Sequence, residues 1–172
     1  ITRAGADHGR LRVLRNPVTP FCATRVEAER NADLFFIGRL QPEKGAVLAA
    51  EAARAAGRRL RVIGEGPERD LLASRFPNVV LEGWRSHSEI AGLIREARAL
   101  VMPSRLPEPF GLVALEALQS GVPLIAFADS FVAQEAAGTG AAFLAGERSP
   151  EALAGAVRQL GSDDVVAAAS RA

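Results

Sequence analysis

The stretch "PEPFGLVALEAL", residues 107–118, sets Glu108 and Glu116 on either side of a turn that runs into an apolar helical pattern. An ionised carboxylate only accepts hydrogen bonds, so two of them suit a ligand that presents clustered donors, as vicinal hydroxyls do. Glu116 falls at i+4 from Leu112 and i+3 from Val113, which places it on the apolar side of that helix. A carboxylate there needs donors or carries a desolvation penalty that the helix dipole, at roughly 0.3–1 kcal/mol, is too weak to offset. A second pair has the opposite sign. "GRLQPEKG", residues 38–45, carries Arg39 and Lys44 across a turn that leads into another helix. A forked guanidinium and a mobile ammonium beside helix amino-terminal N–H groups make a competent diphosphate site. Taken singly, each of the four has a plainer use, as a surface charge, a salt-bridge partner or a dipole-stabilising carboxylate.

These residues must be positioned by the elements around them. From Asp33 onward, short runs rich in Val, Ile, Leu and Phe alternate with Ala-rich stretches of helical period, the signature of strand and helix in turn. Six strands are predicted, at 34–38, 60–64, 78–82, 99–103, 122–127 and 141–144. Their near-continuous apolar character fits a parallel sheet covered on both faces. "SHSE" at 86–89 is a capping box, Ser149–Pro150 opens a helix, and Gly57 and Gly121 stand where helices should end. Residues 1–32 are less regular: "LRVLRNPVTPF" suggests a short strand and a proline-punctuated connector, so this part is expected as a linker or domain edge, with the ligand-binding domain over 33–172. The fold class predicted is α/β, a Rossmann-like doubly wound parallel sheet with helices on both faces. Right-handed crossovers make 3-2-1-4-5-6 the expected strand order, which puts strands one and four side by side. Ligands of this architecture bind where the loops leave the carboxyl ends of those two strands, and those loops carry Arg39, Lys44, Glu108 and Glu116.

Cations placed to hold a diphosphate and carboxylates placed to hold two separate polyols together describe a nucleotide sugar. Composition narrows the alternatives. The chain has 172 residues, 48% hydrophobic and 24% charged, enough to bury a sizeable core. Its charges are mixed and sum to +1, which speaks against a nucleic-acid partner. The basic run Arg54, Arg58, Arg59 and Arg61 is expected as a solvated face. Cys22 is the single cysteine, which suits a reducing, cytoplasmic setting. No apolar run reaches the roughly 18 residues of a membrane span. A metal is not expected: Asp163 and Asp164 lack a third ligand at suitable spacing, and His8 and His87 are isolated, His87 inside a helix cap. A glycoside hydrolase could also use two carboxylates, but would not need the cation pair. A dinucleotide-dependent oxidoreductase is disfavoured because "GEGPER" lacks the third glycine and follows strand two instead of strand one.

"GRLQPEKG", "VIGEGPERDLL", "LEGW", "VMPSRLPEPFGLVALEALQSGVPLIA" and "QEAAGTGAAFL" together resemble the carboxy-terminal, donor-binding domain of family 4 retaining glycosyltransferases of the GT-B fold, over about residues 33–160. Glu108 and Glu116, with seven residues between them, match that family's paired-glutamate motif. The resemblance implies that Arg39 and Lys44 neutralise the donor diphosphate and stabilise the departing nucleoside diphosphate. It implies that Glu108 binds hydroxyls of the transferred sugar, and that backbone groups of Gly38, Phe110, Gly111 and Leu112 face sugar or phosphate. Glu116 would bind the ribose. Gly64, Gly66 and Pro67 of "GEGP" would line the donor pocket, with Trp84 and Arg85 near the nucleobase, although Trp84 could equally be a core or rim aromatic. The loop after strand five departs from the family pattern: it reads "ADSFVAQEA" where a glycine pair is common, which leaves Asp129, Ser130 and Glu135 without a firm assignment. The nucleotide sugar would be a substrate, with no separate cofactor. The sequence begins at Ile1 and its one methionine is Met102, so an excerpt is expected, lacking the amino-terminal acceptor-binding domain. Any membrane association would come through that part. A same-fold sugar-nucleotide 2-epimerase and a non-catalytic binding module are the alternatives to transfer.

Overall fold

The computed structural model describes residues 17–106, 111–136 and 138–172. The short strand expected within residues 11–16, together with Glu108 and Phe110, lies outside the described residues. Among the described residues six strands form one sheet: β1 Asp33–Ile37, β2 Leu60–Ile63, β3 Val79–Gly83, β4 Ala97–Met102, β5 Leu124–Phe127 and β6 Ala142–Ala145. Their order is β3-β2-β1-β4-β5-β6, as expected, and every neighbouring pair is parallel. Seven α-helices accompany them among the same residues: α1 Ala46–Ala55, α2 Arg69–Arg75, α3 His87–Leu93, α4 Leu112–Gln119, α5 Phe131–Ala136, α6 Pro150–Gln159 and α7 Asp163–Arg171.

Packing explains the apolar runs. Leu34, Phe35, Leu60, Val62, Leu100, Leu124 and Ile125 are all buried, so successive residues of the central strands meet covering layers on both faces. β3, at the sheet edge, is only partly covered, and Val80 is exposed there. β4 begins two residues before its predicted start because Arg98 is buried inside it. Its Nη1 donates to Asn31 O at 3.0 Å and to Asp163 Oδ1 at 2.9 Å. The basic run is likewise not a uniformly solvated face: the Arg61 side chain is 12% exposed, held between Glu82 and Glu96 and lying over the Phe35 ring. Cross-chain carboxylates, which a local charge count does not see, bring that arginine in. Phe21, Cys22, Val26 and Ala28 also enter the core, and Val26 N–H donates to Ser120 O at 2.8 Å.

The local signals act where they were expected. Ser86 and Glu89 form the capping box of α3, and the Ser149 side chain accepts from Ala152 N–H at 3.1 Å with Pro150 at the first position of α6. α1 and α4 both end in paired bonds beyond the cap: Gly57 N–H to Arg54 O and Arg58 N–H to Ala53 O, then Gly121 N–H to Leu118 O and Val122 N–H to Ala117 O. Ser149→Ala should cost about 1 kcal/mol in a denaturant melt, the usual value of such a cap.

Candidate functional site

Parallel pairing of Leu34 with Ala99 and Phe35 with Leu100 brings the carboxyl ends of β1 and β4 side by side. Between the loops that leave them lies a cavity of about 320 Å³. Phe36, Ile37, Gly38, Arg39 and Lys44 line it from the β1 side, and Met102, Ser104, Gly111, Leu112 and Val113 from the β4 side. A second cavity of about 260 Å³ shares the wall formed by Ile37, Gly38 and Arg39 and extends to Ile63, Gly64, Glu65, Trp84, Arg85 and Ile90. The two therefore meet at the cation-bearing loop.

Backbone bonds make this loop rigid. Gly38 N–H donates to Ile63 O at 3.0 Å, Leu40 N–H to Glu65 O at 2.9 Å, and Glu68 N–H to Leu40 O at 3.0 Å, which zips the loop after β1 to the loop after β2. Gly64 allows that approach: a Cβ on it would lie 1.9 Å from Gly38 O. On the other side, Arg105 N–H donates to Glu43 O at 2.7 Å, and a Cβ on Gly45 would meet Pro103 O at 2.3 Å. The loop carrying Arg39 and Lys44 is thus clamped against the chain after β4 as well.

α4 begins at this wall, with Gly111 as its N-cap residue. The first amides of an α-helix lack the acceptor four residues back that later ones have; Ala114 N–H turns to Gly111 O at 2.9 Å, and Leu112 and Val113 stand on the cavity wall. The side chain missing from Gly111 has an internal reason too: its Cβ would meet Val132 Cβ at 3.1 Å. Small Ala114 and Ala117 are the buried residues of α4 and let it lie close to the sheet, while the larger Leu112 and Val113 turn toward the cavity. Glu116, three and four residues on, is on their side. Its side chain is 20% exposed, and Oε1 lies 3.7 Å from Nε2 of His87. Burial pushes the Glu116 carboxyl above its ordinary pKa, and the charge of His87 opposes that rise.

The structure thus brings Gly38, Arg39, Lys44, Gly64, Trp84, Arg85, Gly111 and Leu112 to the walls of the joined cavities. Trp84, for which a core position was one reading, is 70% exposed there. Gly66 and Pro67 fall outside these linings, and Glu65 is the residue of "GEGP" that joins Gly64 at the wall. A Cβ on Gly66 would lie 2.5 Å from Leu40 O, so that glycine serves the clasp between loops. Glu116 also stands outside both linings, at their edge: His87, which it faces, precedes the wall residue Ile90 by one helical turn. Of the loop after β5, Asp129 is gripped by Arg148 through Nη2 at 2.9 Å and Nε at 3.2 Å, and Ser130 Oγ accepts from Ala133 N–H. Arg148 also donates to Ser104 O, so this loop braces the cavity wall. Glu65 and Ser104 were not singled out from the sequence, and His87 was weighed there only as a metal ligand and set aside as isolated. Ser104 stands two residues past the end of β4 and could have been found from that position, whereas the contact of His87 with Glu116 joins residues on separate helices and has no local signal.

A doubly wound six-stranded sheet with a cation-bearing loop after its first strand, facing the helix start after its fourth, is a Rossmann-like domain of the kind that forms one half of a GT-B enzyme. The family model described as glycosyl transferases group 1 matches residues 23–171. A glycogen synthase of Mycobacterium tuberculosis is 35% identical, with 98% of this chain and 44% of that protein covered. Among solved structures, WaaG, a glycosyltransferase involved in lipopolysaccharide biosynthesis, superposes with a TM-score of 0.79 at 21% identity, over 97% of this chain and 52% of that one. Anabaena Alr3699/HepE in complex with UDP and glucose gives a TM-score of 0.75 at 22% identity, over 98% and 52% of the two chains. The chain belongs to the group 1 glycosyltransferases. It spans less than half the length of the glycogen synthase it matches.

Proposed function

We infer that this domain binds the nucleoside-diphosphate sugar donor of a retaining glycosyltransferase. The observation that carries this is the shared wall: two cavities meet at Gly38 and Arg39, with Lys44 beside them, so one elongated ligand can place a diphosphate at the cations and a group in each lobe. In this assignment the lobe at Gly64, Trp84 and Arg85 takes the base, and the first turn of α4 takes phosphate or sugar. Glu116 takes the ribose hydroxyls, and Glu108, with the backbone of Phe110, takes the transferred sugar. The protein would supply no nucleophile from these residues. Rate enhancement would come from positioning and from stabilising negative charge on the departing diphosphate, with Arg39 and Lys44 in the place a metal ion could otherwise take. HepE was crystallised with UDP and glucose, and the curated relatives include a glycogen synthase and a GDP-mannose-dependent alpha-mannosyltransferase, which favours transfer over epimerisation or mere binding. An acceptor half would be supplied by a further domain of a longer protein. The buried, unpaired thiol of Cys22 fits a cytoplasmic setting.

Thermal-shift measurements of the chain with UDP, GDP, ADP and their sugar conjugates test this, because a ligand of the native state raises its stability by mass action. One nucleotide series should raise the melting temperature, and a flat response to all of them overturns the assignment. In the longer protein, donor plus acceptor should yield a transferred sugar; a rearranged donor sugar would mean epimerisation.

Glu116 provides a second expectation. A carboxyl whose folded pKa is raised contributes stability that is fully present below its unfolded value, about 4.3, and is lost as pH rises through the folded value. Once ionised, Glu116 therefore costs stability. Glu116→Gln should melt at the same or a higher temperature than the parent while binding nucleoside diphosphate about 10-fold or more weakly, the loss expected for a hydrogen bond to a charged group.

A further inference from the structure

We propose that His87 is a positioning residue for the donor, holding the Glu116 carboxylate in the ionised, acceptor-only form that a vicinal diol requires. The proposal rests on the assignment of Glu116 to the ribose. Glu116 is four-fifths covered on a helix face that otherwise carries Leu112 and Val113, and the imidazole of His87 stands 3.7 Å from it. That separation exceeds hydrogen-bonding distance, so the contact acts through charge.

His87 is held in place from two directions. It is the first residue of α3, whose start is fixed by Ser86 N–H donating to Glu89 Oε2 at 2.8 Å and Glu89 N–H donating to Ser86 Oγ at 3.4 Å. Its ring lies against that of buried Phe21, centroids 4.9 Å apart. Packing does not demand a histidine here, since the side chain is half exposed. Among the described residues, the other ionisable groups around this corner are engaged elsewhere. Arg85 reaches Glu82 at 3.6 Å, Glu89 bonds Ser86, Arg95 reaches Thr24, and the Cys22 thiol donates to Ala91 O. Burial alone drives the Glu116 carboxyl toward its neutral form, and the charge of His87 opposes it. A neutral carboxyl is part donor and cannot accept from both hydroxyls of a cis-diol equally, whereas a carboxylate can.

The test compares His87→Ala and His87→Gln with the parent chain. In the ligand-free protein, carbon-detected NMR titration of the Glu116 carboxyl, assigned with Glu116→Gln, should show its midpoint rising in both variants, because glutamine keeps a donor but not the charge. Melting temperatures should match the parent at low pH, where Glu116 is protonated in every form, and fall slightly at pH 7.5, because a further-raised carboxyl costs stability once it ionises. Calorimetry across pH 5.5 to 8, with whichever of UDP, GDP or ADP stabilises most, should show the acid limb of affinity moved upward in both variants. The loss should be greatest at the acid end of this range and fade toward pH 8. The 2′,3′-dideoxy analogue should lose nothing. An unmoved Glu116 midpoint overturns the role of His87 while leaving the donor site intact. Equal loss with the dideoxy analogue also overturns it, since His87 would then act on the fold or the base. A moved midpoint with parent affinities equal for the nucleotide and its dideoxy analogue instead removes Glu116 from the ribose, and the recognition role of His87 with it.

Discussion

Arg39→Ala and Lys44→Ala should each weaken nucleoside-diphosphate binding by about 10- to 100-fold, the loss of one charge-assisted hydrogen bond at roughly 1.5–3 kcal/mol. Arg39 is exposed on the wall common to both cavities, and Lys44, which ends the turn Pro42–Lys44, lines the first of them. Truncating Arg39 should therefore leave the melting temperature of the free protein nearly unchanged, which separates lost binding from lost fold. Three further readouts belong to the same expectation. The free nucleoside, having no phosphate, should bind parent and variants alike. Arg39→Lys should recover only part of the affinity, because an ammonium cannot match the planar fork. The double variant should lose less than the product of the single losses, since both side chains share one dianionic ligand and are coupled through it. Calorimetry on the single variants decides: unchanged affinity in both would remove the diphosphate from this wall.

The fold was legible in the sequence wherever a signal was local. Alternating apolar runs marked all six strands, winding rules set their order, and Gly57, Gly121, Ser86 and Ser149 marked helix ends that the hydrogen bonds bear out. What was hidden depends on partners distant in the chain. Arg98 falls just before a predicted strand, yet Asn31 O and Asp163 give it acceptors inside the fold and draw it into β4. Arg61 reads as solvated until Glu82 and Glu96 come beside it. At the site, the cation pair was legible because both members flank one turn. The partner of Glu116 was not, because His87 comes from another helix and its local sequence says only that a helix starts there. Within "GEGP" the motif marked the loop correctly but not its orientation: Gly64 and Glu65 face the cavity, while Gly66 is turned against Leu40.

That orientation makes Gly64 the position where the smallest substitution should have the largest effect on stability. Its φ is +140°, and a Cβ would sit 1.9 Å from Gly38 O and 2.9 Å from Gly38 C, distances that no side-chain rotation relieves. The backbone cannot retreat easily on either side. Gly64 N–H is bonded to Gly83 O at 2.8 Å, and the opposing segment is held by Gly38 N–H to Ile63 O and Leu40 N–H to Glu65 O. Gly64→Ala must break part of this clasp, at a cost of about 3 kcal/mol or more. For a chain of this size that is a fall in melting temperature of roughly 6–12 °C. Gly57→Ala is the control: its φ is +66°, but nothing lies within 4 Å of its Cβ position, so it carries the left-handed penalty of about 1–2 kcal/mol without the clash. Because the segment that Gly64→Ala displaces carries Arg39, nucleoside-diphosphate affinity should fall in the fraction that remains folded, whereas Gly57→Ala should bind normally. A Gly64→Ala protein that melts no lower than Gly57→Ala would mean that the loops after β1 and β2 are not locked together, and the shared wall of the two cavities would lose its rigid support.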